Sequence, residues 1–188
     1  VHAAASHLWD GDSDEYNVAY VRRLIPGIHV TLINLSYRKQ GFYVQKGNPK
    51  EILNWKDLTR PSIKFLNQKK GCGSRVLLDE KLRKEKLNST DIHGYEIEIA
   101  SHLTLANAIS KGEADVGLGS ERATKHVENL DFIALQEERY DLILKSEAMD
   151  YPEVKTMLQL LNSSKFRKEL LDISGDDYRD LGKIVAKV

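Results

Sequence analysis

SIKFLNQKKGCGSRVLLDEKLRKEK, residues 62–86, contains the change of period that decides the fold. Ile63–Leu66 is a short apolar run bounded by polar residues, which predicts a strand ending at Asn67. A basic loop follows, and from Ser74 to Lys86 the leucines at 78 and 82 repeat at helical spacing under a charged face. Between the two stands Gly71-Cys72-Gly73-Ser74-Arg75. Strand, glycine turn and helix in that order are half of a β–α unit, and ligands of open α/β sheets sit at such carboxyl-end loops. The glycines let the backbone turn tightly and approach a ligand. The first N–H groups of a helix have no partner inside it and favour negative charge; Ser74 adds a hydroxyl and Arg75 a fork suited to an oxyanion. An ordinary glycine turn capped by Ser74 accounts for the same residues equally well. The stretch is neither a GxxxxGK[ST] phosphate loop nor a dinucleotide fingerprint, which needs a third glycine.

Outward from this unit the same alternation continues. Expected strands are Ile28–Leu35, Phe42–Gln45, Tyr95–Ile99, Ala114–Leu118, Phe132–Leu135 and Tyr140–Leu144. Expected helices are Asn17–Leu24, Ser101–Ser110, Glu121–Glu128, Pro152–Leu161 and Ser164–Ile173. The pattern predicts an α/β fold with mixed, mainly parallel sheets. Two more junctions repeat the first: Ser101-His102 after GYEIEI, and Gly119-Ser120-Glu121 after ADV, with Ser101 and Ser120 placed as caps. In a parallel sheet three such starts emerge on one edge and can surround one small anion.

The chain has 188 residues, 41% of them hydrophobic, which suits one domain or two small lobes. No run approaches the roughly 18 apolar residues of a membrane span, and VHAAASHLWD is no signal peptide. Lys plus Arg and Asp plus Glu are both 28, so no global charge points to nucleic acid. The zero net charge hides polarity: Arg60–Lys86 carries nine basic against three acidic residues, and Glu128–Glu153 two basic against eight acidic. The basic end contains the GCGSR loop, although its helix lysines also fit a solvated face.

Enzymatic readings lack parts. Cys72 stands at a helix start near cations, where a thiol is acidified, but only His102 at a neighbouring junction offers itself as a base. The six histidines, including His2 and His7, show no metal-ligand spacing, and one cysteine excludes a disulfide framework and a cysteine zinc cage. Glu137-Glu138 and Asp176-Asp177 read as exposed carboxylates, and no GxSxG elbow occurs. The expectation is a binding module with no catalytic residue, metal or cofactor.

The succession GFYVQKGNP (41–49), WKDLTRPSIKFLNQKKGCGSRVLLDEKL (55–82), GYEIEIASHLTLANAISKGEADVGLGSERA (94–123) and LDFIALQEERYDLIL (130–144), preceded by HLWD (7–10) and EYN (15–17), resembles the periplasmic-binding-protein-like domain. This is a type II solute-binding fold of bacterial and archaeal cytoplasmic proteins. It occurs behind a helix-turn-helix or fused to molybdopterin molybdenumtransferase, and is also described as a LysR-type substrate-binding domain. Molybdate- and tungstate-binding transport proteins are related to it. Where the family has Gly-Ser-Gly-Thr-Arg, this chain has Gly71-Cys72-Gly73-Ser74-Arg75, keeping the sizes and one hydroxyl.

The resemblance implies two lobes, 1–58 with 140–188 and 59–139, joined by crossings near Gly41–Lys56 and Glu138–Tyr140, with a ligand in the cleft between them. It also implies that the family's first lobe begins upstream of VHAAASHLWD, so lobe I is expected to be truncated, with open edges that a homodimer covers. The implied ligand is a small oxyanion such as molybdate or tungstate, or a molybdenum-cofactor-related compound. Lobe II would bind it through Asn67, Gly71, Cys72, Gly73, Ser74, Arg75, Ser101, His102, Gly119, Ser120 and Glu121. His7, Tyr16, Asn17 and Arg38 are the lobe I candidates by motif position. The expected role is a cytoplasmic sensor attached to a DNA-binding or molybdenum-cofactor-assembly domain. The alternatives are a domain that delivers metal oxyanion to such an enzyme and a transport-type receptor, which a free thiol disfavours.

Overall fold

The computed structural model describes Ala3–Val188; Val1 and His2 lie outside the described residues. The first elements are β1 (Ala3–Ser6), β2 (Trp9–Asp10), β3 (Glu15–Tyr16), α1 (Val18–Leu24) and β4 (Val30–Gln45). Then come β5 (Phe65–Gln68), α2 (Gly73–Glu85), β6 (Glu98–Ile99), α3 (His102–Ser110) and β7 (Val116–Ser120). The chain closes with β8 (Leu130–Lys145), α4 (Pro152–Leu161), α5 (Ser164–Ile173) and β9 (Ile184–Lys187). Short 3-10 turns stand at Trp55–Thr59, Ser89–Asp91, Glu121–His126 and Ser146–Asp150.

The α/β class and the mixed sheet are as expected. β5 pairs parallel with β6 and β7, whereas β4 pairs antiparallel with β7 and β9, and β1 antiparallel with β8. The strands differ from expectation. Expected Ile28–Leu35, from Val30 onward, and Phe42–Gln45 belong to the one strand β4, and Phe132–Leu135 and Tyr140–Leu144 to the one strand β8, while Ile63–Leu66 shifts to Phe65–Gln68 and Tyr95–Ile99 shortens to Glu98–Ile99. The polar middles, SYRKQ and QEER, do not break them, because Ser36, Gln40 and Glu138 turn inward instead of looping out. Expected helix Glu121–Glu128 is a 3-10 turn.

Contacts divide the chain into two units: residues up to Arg38 with Glu138–Val188, and Lys39–Glu137. The expected lobes put residues 39–58 with the first. They go with the second because Gln40–Val44 of β4 pair with Val116–Ser120 of β7, and Trp55 packs edge-on against Phe42 with ring centroids 5.2 Å apart.

In the first unit, Val18 and Val21 of α1 pack on Val30 and Leu32 of β4. α4 opens on Pro152, whose missing N–H costs nothing at a helix start, and Ser163 caps α5 by accepting from the Phe166 N–H at 3.2 Å. In the second unit, Leu105 and Ile109 of α3 pack on Tyr43 and Leu66, each burial contributing about 2 kcal/mol. Close approach of α3 to β7 needs glycine: a Cβ on Gly117 would stand 2.7 Å from Leu105 Cδ1. Gly119, two residues on and therefore on the same face, is held to glycine by Tyr43 and His102.

Candidate functional site

Because β6, β5 and β7 are parallel, their carboxyl ends share one edge of the second unit, and the three expected junctions meet there. His102, first residue of α3, joins them. Its Nδ1 accepts from the Ser120 N–H at 3.4 Å and lies 3.5 Å from Nε2 of Gln68, the last residue of β5. With N–H groups facing Nδ1, the ring proton belongs on Nε2. Ser74 Oγ donates to Gln40 Oε1 at 2.8 Å, and Gln40 is the strand partner of Ser120. The Ser120 carbonyl accepts from the Tyr43 hydroxyl at 2.6 Å, and burial pushes that phenol well above its ordinary pKa.

The other second-unit candidates divide into loop builders and exposed groups. Asn67 is buried; it donates to the Tyr95 carbonyl at 2.9 Å and accepts from the Gln68 N–H at 2.9 Å, so it shapes the loop. Gly71 has φ 87° in an open turn, the conformation that calls for glycine. The cap of α2 is Cys72 and not Ser74, which lies inside the first turn with its hydroxyl spent on Gln40. Gly73, Ser74 and Arg75 are all buried. Ser101 does cap α3, its exposed Oγ accepting from the Thr104 N–H at 3.1 Å. Ser120 precedes its 3-10 turn without a side-chain cap bond. Glu121 faces Lys39 at 3.7 Å.

Arg75 departs most from expectation. Its guanidinium is 3% exposed, with Nε 3.1 Å from Asp79 Oδ1 and Nη1 3.7 Å from Glu98 Oε1, and it covers the Tyr95 ring at 4.1 Å. Tyr95 in turn donates to Asp79 at 2.6 Å. Burial works against the charge, but the Tyr95 hydroxyl and Asp79 outweigh it and hold the arginine above its ordinary pKa. Two carboxylates already face this cation, so it is no free fork for an incoming oxyanion.

Of the first-unit candidates, Tyr16 and Asn17 are enclosed and His7 and Arg38 are accessible. Asn17 is fully buried; its amide donates to Asp141 Oδ2 at 2.8 Å and to the Ser6 carbonyl at 3.2 Å, and accepts from the Leu8 N–H at 2.9 Å. Asp141 also accepts from Arg139 Nε at 2.9 Å, whose Nη2 donates to the Tyr16 carbonyl. That network is structural. His7 and Arg38 meet on Glu138, which is 2% exposed, through Nδ1–Oε1 at 2.7 Å and Nη2–Oε2 at 2.6 Å. Glu138 was expected exposed beside Glu137; only Glu137 is. Strand alternation carries the missed signal: 138 and 140 share one face of β8, 139 and 141 the other. Gln40, Gln68, Asp79, Tyr95 and Glu98 escaped because polar residues at strand ends and helix faces carry no periodic mark.

Among the described residues no group of three or more His, Cys, Asp or Glu is gathered as if around a metal ion. Among them, too, no helix is long and apolar enough to cross a membrane.

A family model described as the PBP superfamily domain matches residues 1–162. The protein YvgK of Bacillus subtilis (strain 168) is 40% identical over 181 residues, which are 95% of this chain and 57% of that protein. The chain therefore spans little more than half the length of this relative. An ArgBP mutant from T. maritima superimposes with a TM-score of 0.56 at 14% identity, over 77% of this chain and 61% of its own. The CcmR regulatory domain of Synechocystis PCC6803, in complex with 2-PG, does so with a TM-score of 0.55 at 14% identity, over 71% of this chain and 66% of its own. At such identities the likeness establishes the fold.

Proposed function

The chain belongs to the PBP superfamily domain family, and from that premise we propose that it is a ligand-binding sensor domain, not an enzyme, that takes a small oxyanion at the helix starts of its second unit. The observation that carries this reading is the meeting of three strand-to-helix junctions through His102 and Ser120. A ligand there finds the first-turn N–H groups of α2, which have no acceptor inside the helix, together with the Nε2–H of His102. Charge compensation comes from the helix start and these neutral donors, since Arg75 is occupied by Asp79 and Glu98. Backbone amides and a fixed imidazole suit a tetrahedral anion.

Molybdate and tungstate stand first among the anions, on the sequence resemblance; the 2-PG complex of the CcmR domain adds phosphorylated acids to those worth testing. On the same reading the domain works in the cytoplasm as a homodimer, joined to a DNA-binding or molybdenum-cofactor-assembly domain. The greater length of the Bacillus relative is consistent with a joined domain.

Titration calorimetry and thermal shift with molybdate, tungstate, sulfate, phosphate and 2-phosphoglycolate test the reading. A true ligand at a hundred times its Kd stabilises by about 2.7 kcal/mol. The expected result is such a rise for at least one anion, abolished by His102→Ala. No response to any of them, or a response indifferent to His102→Ala, refutes it.

A further inference from the structure

Gln40 is a polar residue where a strand interior ordinarily carries an apolar one: it lies within β4 and is 1% exposed. Its Oε1 takes the hydroxyl proton of Ser74 at 2.8 Å, and Ser74, equally buried, lies in the first turn of α2. The backbone around Gln40 fixes where that acceptor sits. Its register partner across the antiparallel β4–β7 pair is Ser120, and a Cβ on the next residue, Gly41, would stand 2.7 Å from Phe132 Cζ. One rung of the sheet therefore addresses both helix starts. Gln40 reaches Ser74 of α2, and Ser120 gives its N–H to His102 at the head of α3.

The two starts are held differently. α3 has a local cap, Ser101 Oγ accepting from the Thr104 N–H at 3.1 Å. α2 follows Cys72, which makes no side-chain cap bond. Its first turn is tied by tertiary contacts instead: Ser74 to Gln40 of β4, and Arg75 to Glu98 of β6. A serine hydroxyl carries a single proton. With that proton on Gln40, Ser74 has none to give a ligand, and the backbone N–H groups are what the start of α2 can present.

We propose that Gln40 is a positioning residue of the second-unit anion site. Through the Ser74 hydroxyl it holds the first turn of α2 on β4, so that backbone N–H groups, and not the Ser74 side chain, meet the oxyanion. The proposal rests on the oxyanion reading above. It adds a residue that acts only through another, and it takes the Ser74 hydroxyl out of the direct contacts.

Gln40→Met, Ser74→Ala and the double variant carry the test, with Val21→Ala, a core residue of the first unit, as the control for a general loss of stability. The probes are molybdate, tungstate, sulfate, phosphate and 2-phosphoglycolate. In ligand-free protein, the amide resonances of Gly73, Ser74 and Arg75 should move in Gln40→Met as they do in Ser74→Ala, and stay in place in Val21→Ala. By calorimetry each single variant should weaken the bound anion about fivefold, the equivalent of one neutral hydrogen bond, while Val21→Ala keeps the affinity. The double variant should be no weaker than either single, since both remove the same bond. A further loss when Ser74→Ala is added to Gln40→Met would mean that the hydroxyl meets the anion itself, which overturns the proposal. An undiminished affinity in Gln40→Met overturns it as well. First-turn amides that stay in place while an anion still binds refute Gln40 alone and leave the oxyanion reading intact. Amides that move as expected in a chain that binds none of the five anions refute that reading, and the role of Gln40 toward a ligand falls with it.

Discussion

Asn17→Ala should be among the most damaging single substitutions in the chain, and the loss should be of stability. The amide is fully buried and makes three hydrogen bonds, one of them to the buried carboxylate of Asp141. A bond to a charged group contributes about 1.5–3 kcal/mol, and each of the other two about 1 kcal/mol. Asn17 also has φ 68°, a conformation that costs alanine about 1–2 kcal/mol. The sum is about 4.5–7 kcal/mol, against a total stability of about 5–15 kcal/mol for an ordinary domain. Asn17→Gly loses the same bonds but escapes the backbone strain, so it should be the milder change by about 1 kcal/mol. Urea unfolding read as a shift in midpoint at constant slope measures both. A loss below about 1 kcal/mol for Asn17→Ala, or a glycine variant worse than the alanine one, refutes the structural reading and returns Asn17 to the ligand contacts.

Gly119→Ala forces a Cβ toward the Tyr43 hydroxyl and to 2.5 Å from His102 Nδ1, so about 1–3 kcal/mol of overpacking should lower Tm and shift the His102 ring resonances. An unchanged Tm would contradict the packing of α3 on β7. Arg75→Met leaves Asp79 and Glu98 able to regain water, so the expected loss is only about 1–2 kcal/mol, with anion affinity nearly unchanged because the backbone donors stay; a tenfold loss of affinity would show that the guanidinium serves the ligand. Asp10 is held below its ordinary pKa chiefly by the Ser13 N–H, burial opposing, with the Ser13 hydroxyl and Arg23 assisting. Its contribution is therefore present above the unfolded-state value of about 3.9 and lost as the pH falls through the lower folded value; Asp10→Asn should flatten that acid limb, and an unchanged limb speaks against the pairing.

The helices were more legible than the strands, for reasons that lie in particular residues. Pro152 and Ser163 mark the starts of α4 and α5 locally, and both helices have the expected bounds. β4 and β8 look broken because their middles are polar, and that polarity is tertiary: Gln40 is buried against Ser74, and Glu138 between His7 and Arg38. β2, β3 and β9 are two to four residues long, too short for any period to show. The three helix starts were visible because turn and cap chemistry is local, and their convergence followed from parallel pairing. The occupants of Arg75 were not visible. Asp79 is one helical turn away and reads as solvent face, while Glu98 and Tyr95 arrive from a distant part of the chain. Asn17 shows the opposite case, a motif asparagine that is fully buried and bonded to Asp141.

The half-exposed thiol at the head of α2 has a practical use. Cys72 is the only cysteine in the sequence and stands at the N-cap position of α2. A fluorophore or spin probe coupled there needs no cysteine-free background. Its emission or line shape would report directly on any solute that settles at that helix start, in a sample of the otherwise native chain.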